Sequence, residues 1–341
     1  METLLLSPSV DDVALAGKLL QEGKLVGIPT ETVYGLAANA LDGAAVASIF
    51  EAKGRPQDNP LIVHISRLEQ LDRLVSHIPD AAVALAAEFW TGPLTMVMPK
   101  SDLIPDEVSC GLDTVAVRMP SHPVAREVID AAGCPLAAPS ANLSGRPSTT
   151  TAAHVMDDMG GRIAAVVDGG QCTYGVESTV ISLCGERPAL LRPGAVTPEM
   201  LEAVVGPIDI DHAVLHTLEE HQKAASPGMK YKHYAPDAQL TIIRSTFEQF
   251  AEWCDLHNDG DTYALCFDGE AARLSVPAVE YGACDNLLSQ AHGLFDALRE
   301  LDARGAKVAY ARACDPVGVG LAVYNRLLRS AAFRVIELAE D

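Results

Sequence analysis

Between Gly206 and Asp237 the chain abandons the apolar periodicity that precedes and follows it. The stretch is polar, His-rich and turn-forming, and it carries Ser226-Pro227-Gly228-Met229-Lys230-Tyr231-Lys232-His233-Tyr234-Ala235-Pro236. It is too long for an ordinary connection inside one compact unit, so it reads as a linker or a functional lid. A chain of 341 residues also exceeds what one hydrophobic core usually serves. The expected organisation is therefore a first domain over 1–206, a linker or lid over 207–238 and a small second domain over 239–341.

Both flanking parts alternate short apolar runs with helical patterns, the mark of an α/β fold. In the first part the spacing predicts helices over 11–21, 44–52, 79–90, 123–132 and 150–159. Strands are expected over 25–29, 61–65, 94–98, 114–118, 136–139, 164–168, 179–183 and 189–191. So many strands favour a twisted, mixed sheet with helices. The second part alternates strand and helix (240–244, 247–257, 263–267, 285–305, 307–313, 321–332), which predicts a small Rossmann-like α/β domain with a parallel sheet. Neither G-x-G-x-x-G nor G-x-x-x-x-G-K-[ST] occurs, so a nucleotide would need an atypical site.

The net charge of −21 is spread over both parts. Such a field repels phosphate backbones, so no stable nucleic-acid binding is expected, although a few convergent cations can still capture a small anion. The eight cysteines have no C-x-x-C pair and no regular spacing, which reads as reduced, mostly buried thiols. With no basic leader and no 18-residue apolar run, the expectation is a soluble, cytoplasmic protein without a membrane partner.

Four polar clusters stand out: Pro29-Thr30-Glu31-Thr32-Val33-Tyr34-Gly35-Leu36, Lys53-Gly54-Arg55-Pro56 with Asp58-Asn59-Pro60, Pro139-Ser140-Ala141-Asn142, and Glu177-Ser178-Thr179-Val180. Lys53 and Arg55 close a helix, where cations commonly do no more than offset the helix dipole. The stiff loop that follows, with Asn59 and His64 as further donors, suits a phosphate or carboxylate ligand. Ser140 and Asn142 read as a turn, or as ligand contacts beyond the end of a strand. Arg118 shares a strand face with Thr114 and Ala116 and must be paired, either by a native carboxylate or by a substrate's. His212 and His216, four apart near Asp209 and Asp211, formally permit a metal site, but no further ligand cluster accompanies them.

PTETVYGL, KGRPQDNPLIVHI, GPLT, VAVRMP, PSANLSGRPS, DGG with GVESTVI, and LLRPG follow one another as in the YrdC family. SPGMKYKHYAP followed by a small α/β domain resembles the family's long, two-domain form. The resemblance implies a YrdC-like first domain and the synthesis of L-threonylcarbamoyl-AMP from L-threonine, bicarbonate or carbon dioxide, and ATP. Pyrophosphate would be released, with Mg2+ accompanying ATP and no protein side chain assigned to the metal. The product would pass to a separate transferase that modifies tRNA.

Residue by residue, the family's basic and polar tetrad falls on Lys53, Arg55, Ser140 and Asn142. ATP contacts fall on Arg55, Asn59, Thr114, Ser140, Ser148, Arg192, Tyr231 and Tyr234. Threonine contacts fall on Thr32, His64, Arg118, the backbone of Ala138, and Ser178. Gln171 and Thr149 stand where the family often has proline. The linker becomes a lid, so deleting the second domain while keeping residues through Pro236 is expected to leave much of the activity. The competing reading is a non-catalytic RNA-binding module of the same fold, which would need a basic face that this chain lacks.

Overall fold

Apolar runs between turn residues form the strands, and the amphipathic segments become helices started by side-chain caps. In the computed structural model, which describes residues 2–216 and 234–338, Ser9 accepts from the Asp12 N–H to begin the helix Val10–Gln21. Asp42 accepts from the N–H groups of Ala44 and Ala45 to begin Gly43–Lys53. Thr151, Thr246 and Asn286 do the same for Ala152–Met159, Phe247–Leu256 and Leu287–Ala303.

The first unit supplies β1 (Leu4–Leu6), β2 (Val26–Ile28), β3 (Gly35–Asn39), β4 (Ile62–His64), β5 (Leu94–Pro99), β6 (Thr114–Arg118), β7 (Leu136–Ala137), β8 (Ala165–Val167), β9 (Thr179–Ser182), β10 (Ala189–Arg192) and β11 (Asp209–Ile210). Among the described residues these form one sheet in the order β1-β8-β2-β3-β7-β4-β6-β5-β9-β10-β11. The sheet is mixed: β4 and β6 run parallel with His64 opposite Arg118, while β5 and β6 are antiparallel with Thr95 opposite Arg118. Helix Val10–Gln21 packs on helix Pro123–Ala132 over one face of it.

The second unit consists of β12 (Gln239–Arg244), β13 (Thr262–Cys266), β14 (Ala278–Glu280), β15 (Val308–Arg312) and β16 (Val335–Glu337). They form a parallel sheet in the order β14-β13-β15-β12-β16. The α/β class, the mixed first sheet and the parallel second sheet follow the expectation from periodicity.

Several strands escape that expectation. β3 reads Gly-Leu-Ala-Ala-Asn, a poor strand former by composition, yet it pairs with both β2 and β7, and its place inside the sheet overrides its propensity. β1 and β16 are three-residue edge strands, and β11 has two residues. Within the span expected to be linker, β11 pairs with β10, and Ala213 and Val214 are buried behind it. β11 thus extends the first sheet.

The two units share apolar packing. Val33 and Val176 of the first unit, together with Tyr234, belong to the cluster of Phe295, Leu298, Val323 and Leu327 in the second. Leu321 in turn packs into the main core of the first unit.

Candidate active site

The pocket is built where the chain leaves its strands. Lys53 is the last residue of helix Gly43–Lys53, which ends because Gly54 turns left-handed at φ 61°. Gly54 N–H reaches Glu51 O at 3.2 Å and Arg55 N–H reaches Phe50 O at 2.9 Å, the paired bonds of a Schellman turn. That turn folds Lys53 inward, 4% exposed, and aims Arg55 at the same cleft.

Lys53 Nζ donates to the carbonyl oxygens of Ser140 at 2.5 Å and Asn142 at 2.6 Å, while Ser144 N–H donates back to Lys53 O at 3.0 Å. Two clusters nearly ninety residues apart thus become one structure. Burial first, and the neighbouring Arg55 second, push the Lys53 ammonium well below its ordinary pKa. Arg55 donates to Asn59 O at 2.9 Å; burial lowers it to about 10, which leaves it charged at neutral pH.

The other end of the cleft centres on Arg118 at the end of β6. Arg118 Nη1 donates to Thr32 Oγ1 at 2.8 Å, Nε to Gly92 O at 3.3 Å, and Nη2 lies 2.7 Å from Glu31 Oε1. The sequence left open whether Arg118 meets a native or a substrate carboxylate, and Glu31 is the native one. Burial would push the Glu31 carboxyl up, but the facing guanidinium holds it below its ordinary range. Arg192 lies opposite, donating to Ser178 O at 3.0 Å and Ser178 Oγ at 3.1 Å, and Ser178 Oγ shares a 2.8 Å hydrogen bond with Thr95.

His64, beside Arg118 in the sheet, has its pKa lowered to about 3, by burial first and by Arg118 second. Such an imidazole is neutral and too weak a base to hold a proton taken from an ammonium at pH 7; it can orient a ligand. Because its folded pKa lies below the unfolded value, stability is fully present above about pH 6.5 and falls as pH drops toward 3. Urea unfolding should therefore show about 2 kcal/mol less stability at pH 5 than at pH 7 on account of this residue. The His64→Asn variant should lose that much less over the same interval; an unchanged pH dependence would refute the buried neutral state.

Of the residues expected from sequence, Lys53, Arg55, Ser140, Asn142, Arg192 and Tyr234 line one cleft with Thr32, His64, Arg118, Ala138 and Ser178. Three others do not line it. Asn59 is buried behind Arg55, and its side-chain amide makes no hydrogen bond among the described residues. Ser148 is buried and donates to Glu177 Oε1. Thr114 starts β6, four residues and roughly 13 Å from the Arg118 end. Tyr231 lies outside the described residues.

Sequence reasoning assigned no role to Thr30, Tyr34 or Glu177, which also line the cleft. Tyr34 OH donates to Gly170 O at 2.7 Å and accepts from Gly169 N–H at 3.1 Å, fixing the Asp-Gly-Gly loop. The overlooked signal at Glu177 was an acid set among apolar and hydroxyl residues, which needs a cationic partner.

Tyr234, the first described residue after the 217–233 segment, forms part of the cleft wall. Among the described residues no group of three or more His, Cys, Asp or Glu could hold a metal.

Residues 18–194 match the family model Sua5_yciO_yrdC, described as "Telomere recombination". Residues 196–332 match the model "Threonylcarbamoyl-AMP synthase, C-terminal domain". A threonylcarbamoyl-AMP synthase of Bacillus subtilis is 46% identical over 97% of this chain and 96% of its own length. One of Pyrococcus abyssi is 45% identical over 96% of each. The crystal structure of P. abyssi Sua5 complexed with L-threonine superposes with a TM-score of 0.92 at 42% identity, covering 99% of this chain and 100% of that one. By two adjoining domain models and by full-length relatives, this chain belongs to the Sua5/YciO/YrdC family in its two-domain form.

Proposed function

We propose that this protein is a transferase that makes L-threonylcarbamoyl-AMP from L-threonine, bicarbonate or carbon dioxide, and ATP, releasing pyrophosphate. The observation that carries this reading is one cleft with two chemistries. Arg118, Thr32, His64 and Ser178 offer a carboxylate and hydroxyl site, and Lys53, Arg55, Ser140 and Arg192 offer an anion site beside it. The full-length synthases of B. subtilis and P. abyssi, and the threonine complex of the latter's Sua5, support the same reading.

In the proposed sequence the neutral threonine amine attacks carbon dioxide, the new C–N bond forming as one C=O π bond breaks, and gives an N-carboxylate while the surplus amine proton passes to bulk water. An oxygen of that carboxylate attacks the α-phosphorus of ATP in line, and the bond to the β-phosphate oxygen breaks as pyrophosphate leaves. Arg118 binds the threonine carboxylate, Thr32 and Ser178 bind its hydroxyl or amine, and Lys53, Arg55 and Arg192 offset the phosphate charge. Asn59, Thr114, Ser148, Tyr231 and Tyr234 complete the proposed ATP contacts, the last two from the proposed lid. Mg2+ bound to the triphosphate would add charge neutralisation. No helix of the described residues is long and apolar enough to cross a membrane, and the eight cysteines are free thiols, which supports a reaction in the reducing cytoplasm. The labile product calls for a separate acceptor enzyme that carries the group to tRNA.

The test is pyrophosphate release with ATP, magnesium and bicarbonate, with threonine present, absent or replaced. Release should require both threonine and bicarbonate. Serine, lacking one methyl group, should lose about 10- to 100-fold in kcat/KM. Valine, which leaves Thr32 and Ser178 without a hydroxyl partner, should lose more than about 10³-fold. Equal rates with valine would overturn the threonine site.

A further inference from the structure

Arg326 belongs to the second unit, on helix Gly320–Ser330, yet its fully buried guanidinium reaches the wall of the cleft. Its Nε donates to Glu177 Oε2 at 2.8 Å and its Nη2 to Glu177 O at 3.3 Å, while Nη1 donates to Pro193 O at 2.9 Å. One planar fork therefore staples the segment carrying Ser178 to the segment carrying Arg192. We propose that Arg326 is a positioning residue of the reaction, setting the reach of Ser178 and Arg192 from the second domain.

The electrostatics explain why a cation is needed there. Burial would push the Glu177 carboxyl up; Arg326 first and Arg192 second hold it below its ordinary range. Without Arg326 the buried carboxylate turns to the next cation, Arg192, and draws it from Ser178 and from the phosphates it is proposed to meet. The same helix holds the chain on both sides of the 217–233 segment. Asn325 donates to Val214 O at 2.5 Å, Arg329 to Ala213 O at 2.7 Å and Ser330 to Tyr234 O at 2.8 Å. Arg299, on helix Leu287–Ala303, adds a grip on Asp158 at 2.9 Å and on Pro147 O at 2.6 Å. A truncation after Pro236 removes all of these contacts, so under this proposal the truncated chain should lose activity, where the linker-as-lid expectation has it keep much.

The inference rests on the adenylate-forming reading, and its test separates the two. In the full-length chain, Arg326→Gln and Arg326→Lys should each lower kcat/KM for pyrophosphate release about 10²-fold at temperatures well below their Tm, the loss typical of a misplaced binding group. Phe250→Ala, a fully buried core change of the second unit in a cluster that holds no cleft residue, supplies the structural comparison and should stay within about threefold of wild type, as expected where stability alone is lowered. Wild-type kcat/KM in Arg326→Lys would overturn the proposal, and so would an equal activity loss in Phe250→Ala at matched folded fraction. If Arg326→Gln does not fold, Arg326→Lys decides. If the wild type releases no pyrophosphate, the adenylate-forming reading fails instead; ATP affinity by calorimetry then carries the test, and equal affinities of wild type and Arg326→Lys overturn the positioning role.

Discussion

Replacing Arg118 with Met should lower stability by about 3–5 kcal/mol and abolish threonine-dependent turnover. The stability term arises because Glu31 and Arg118 are a buried pair, with side chains 5% and 4% exposed, and removing one partner leaves the other charge unpaired. The activity term arises because a guanidinium fork can bind the threonine carboxylate through two parallel hydrogen bonds, and Met offers none. The double variant Glu31→Gln/Arg118→Met separates the two effects. It should recover most of the stability, since the orphaned charge is gone, and none of the turnover. Urea unfolding and pyrophosphate release on both variants check this. A singly substituted protein of native stability, or one whose KM for threonine stays within twofold, contradicts the assignment.

Lys53→Met should have the opposite profile, with kcat/KM down about 10²- to 10³-fold and stability changed by no more than about 1 kcal/mol. Taking a desolvated ammonium out of the interior is favourable, while leaving the Ser140 and Asn142 carbonyls without their donor is unfavourable, and the two contributions oppose each other. The activity loss combines a missing cation near the phosphates with a slackened Ser140-Ala141-Asn142 turn. Thermal melts paired with steady-state rates settle it. Near-normal turnover in a stable variant would remove Lys53 from the machinery.

Where an element's own residues carried the preference, the sequence was enough: the β-branched run at Thr114–Arg118 and the capped helix Gly43–Lys53 stand where spacing put them. Where the preference came from neighbours it was not, and Gly35–Asn39 is a strand because β2 and β7 flank it. Period-two alternation placed Thr114 and Arg118 on one face but could not say that only the Arg118 end meets the cleft. The cleft residues recognised by motif converge on one site, because Lys53 ties the helix end to the Ser140 turn. The ion pairs were less legible. Glu31 as the partner of Arg118 is separated from it by 87 residues, and Glu177 and Arg326 by 149. A local pattern can mark a charge that needs a partner, as at Arg118 and Glu177, but it does not name which distant residue that partner is.

The order of the first sheet has a bearing on how ligands act on the whole chain. Leu4 pairs with Ala165, Ala38 with Ala137 and Leu94 with Thr179, and six of the ten neighbour pairs among the described strands of the sheet join strands that are not consecutive in the chain. The segments that would touch a ligand sit at the exits of these distant strands, and a partly assembled chain holds them apart. Its unfolded ensemble thus has no residual site with which to compete for ligand, and mass action falls wholly on the native state. Saturating ligand at a hundred times its Kd should raise the unfolding free energy by nearly the full ~2.7 kcal/mol that linkage allows, which makes ligand-induced protection a direct gauge of how much of the population has completed the sheet.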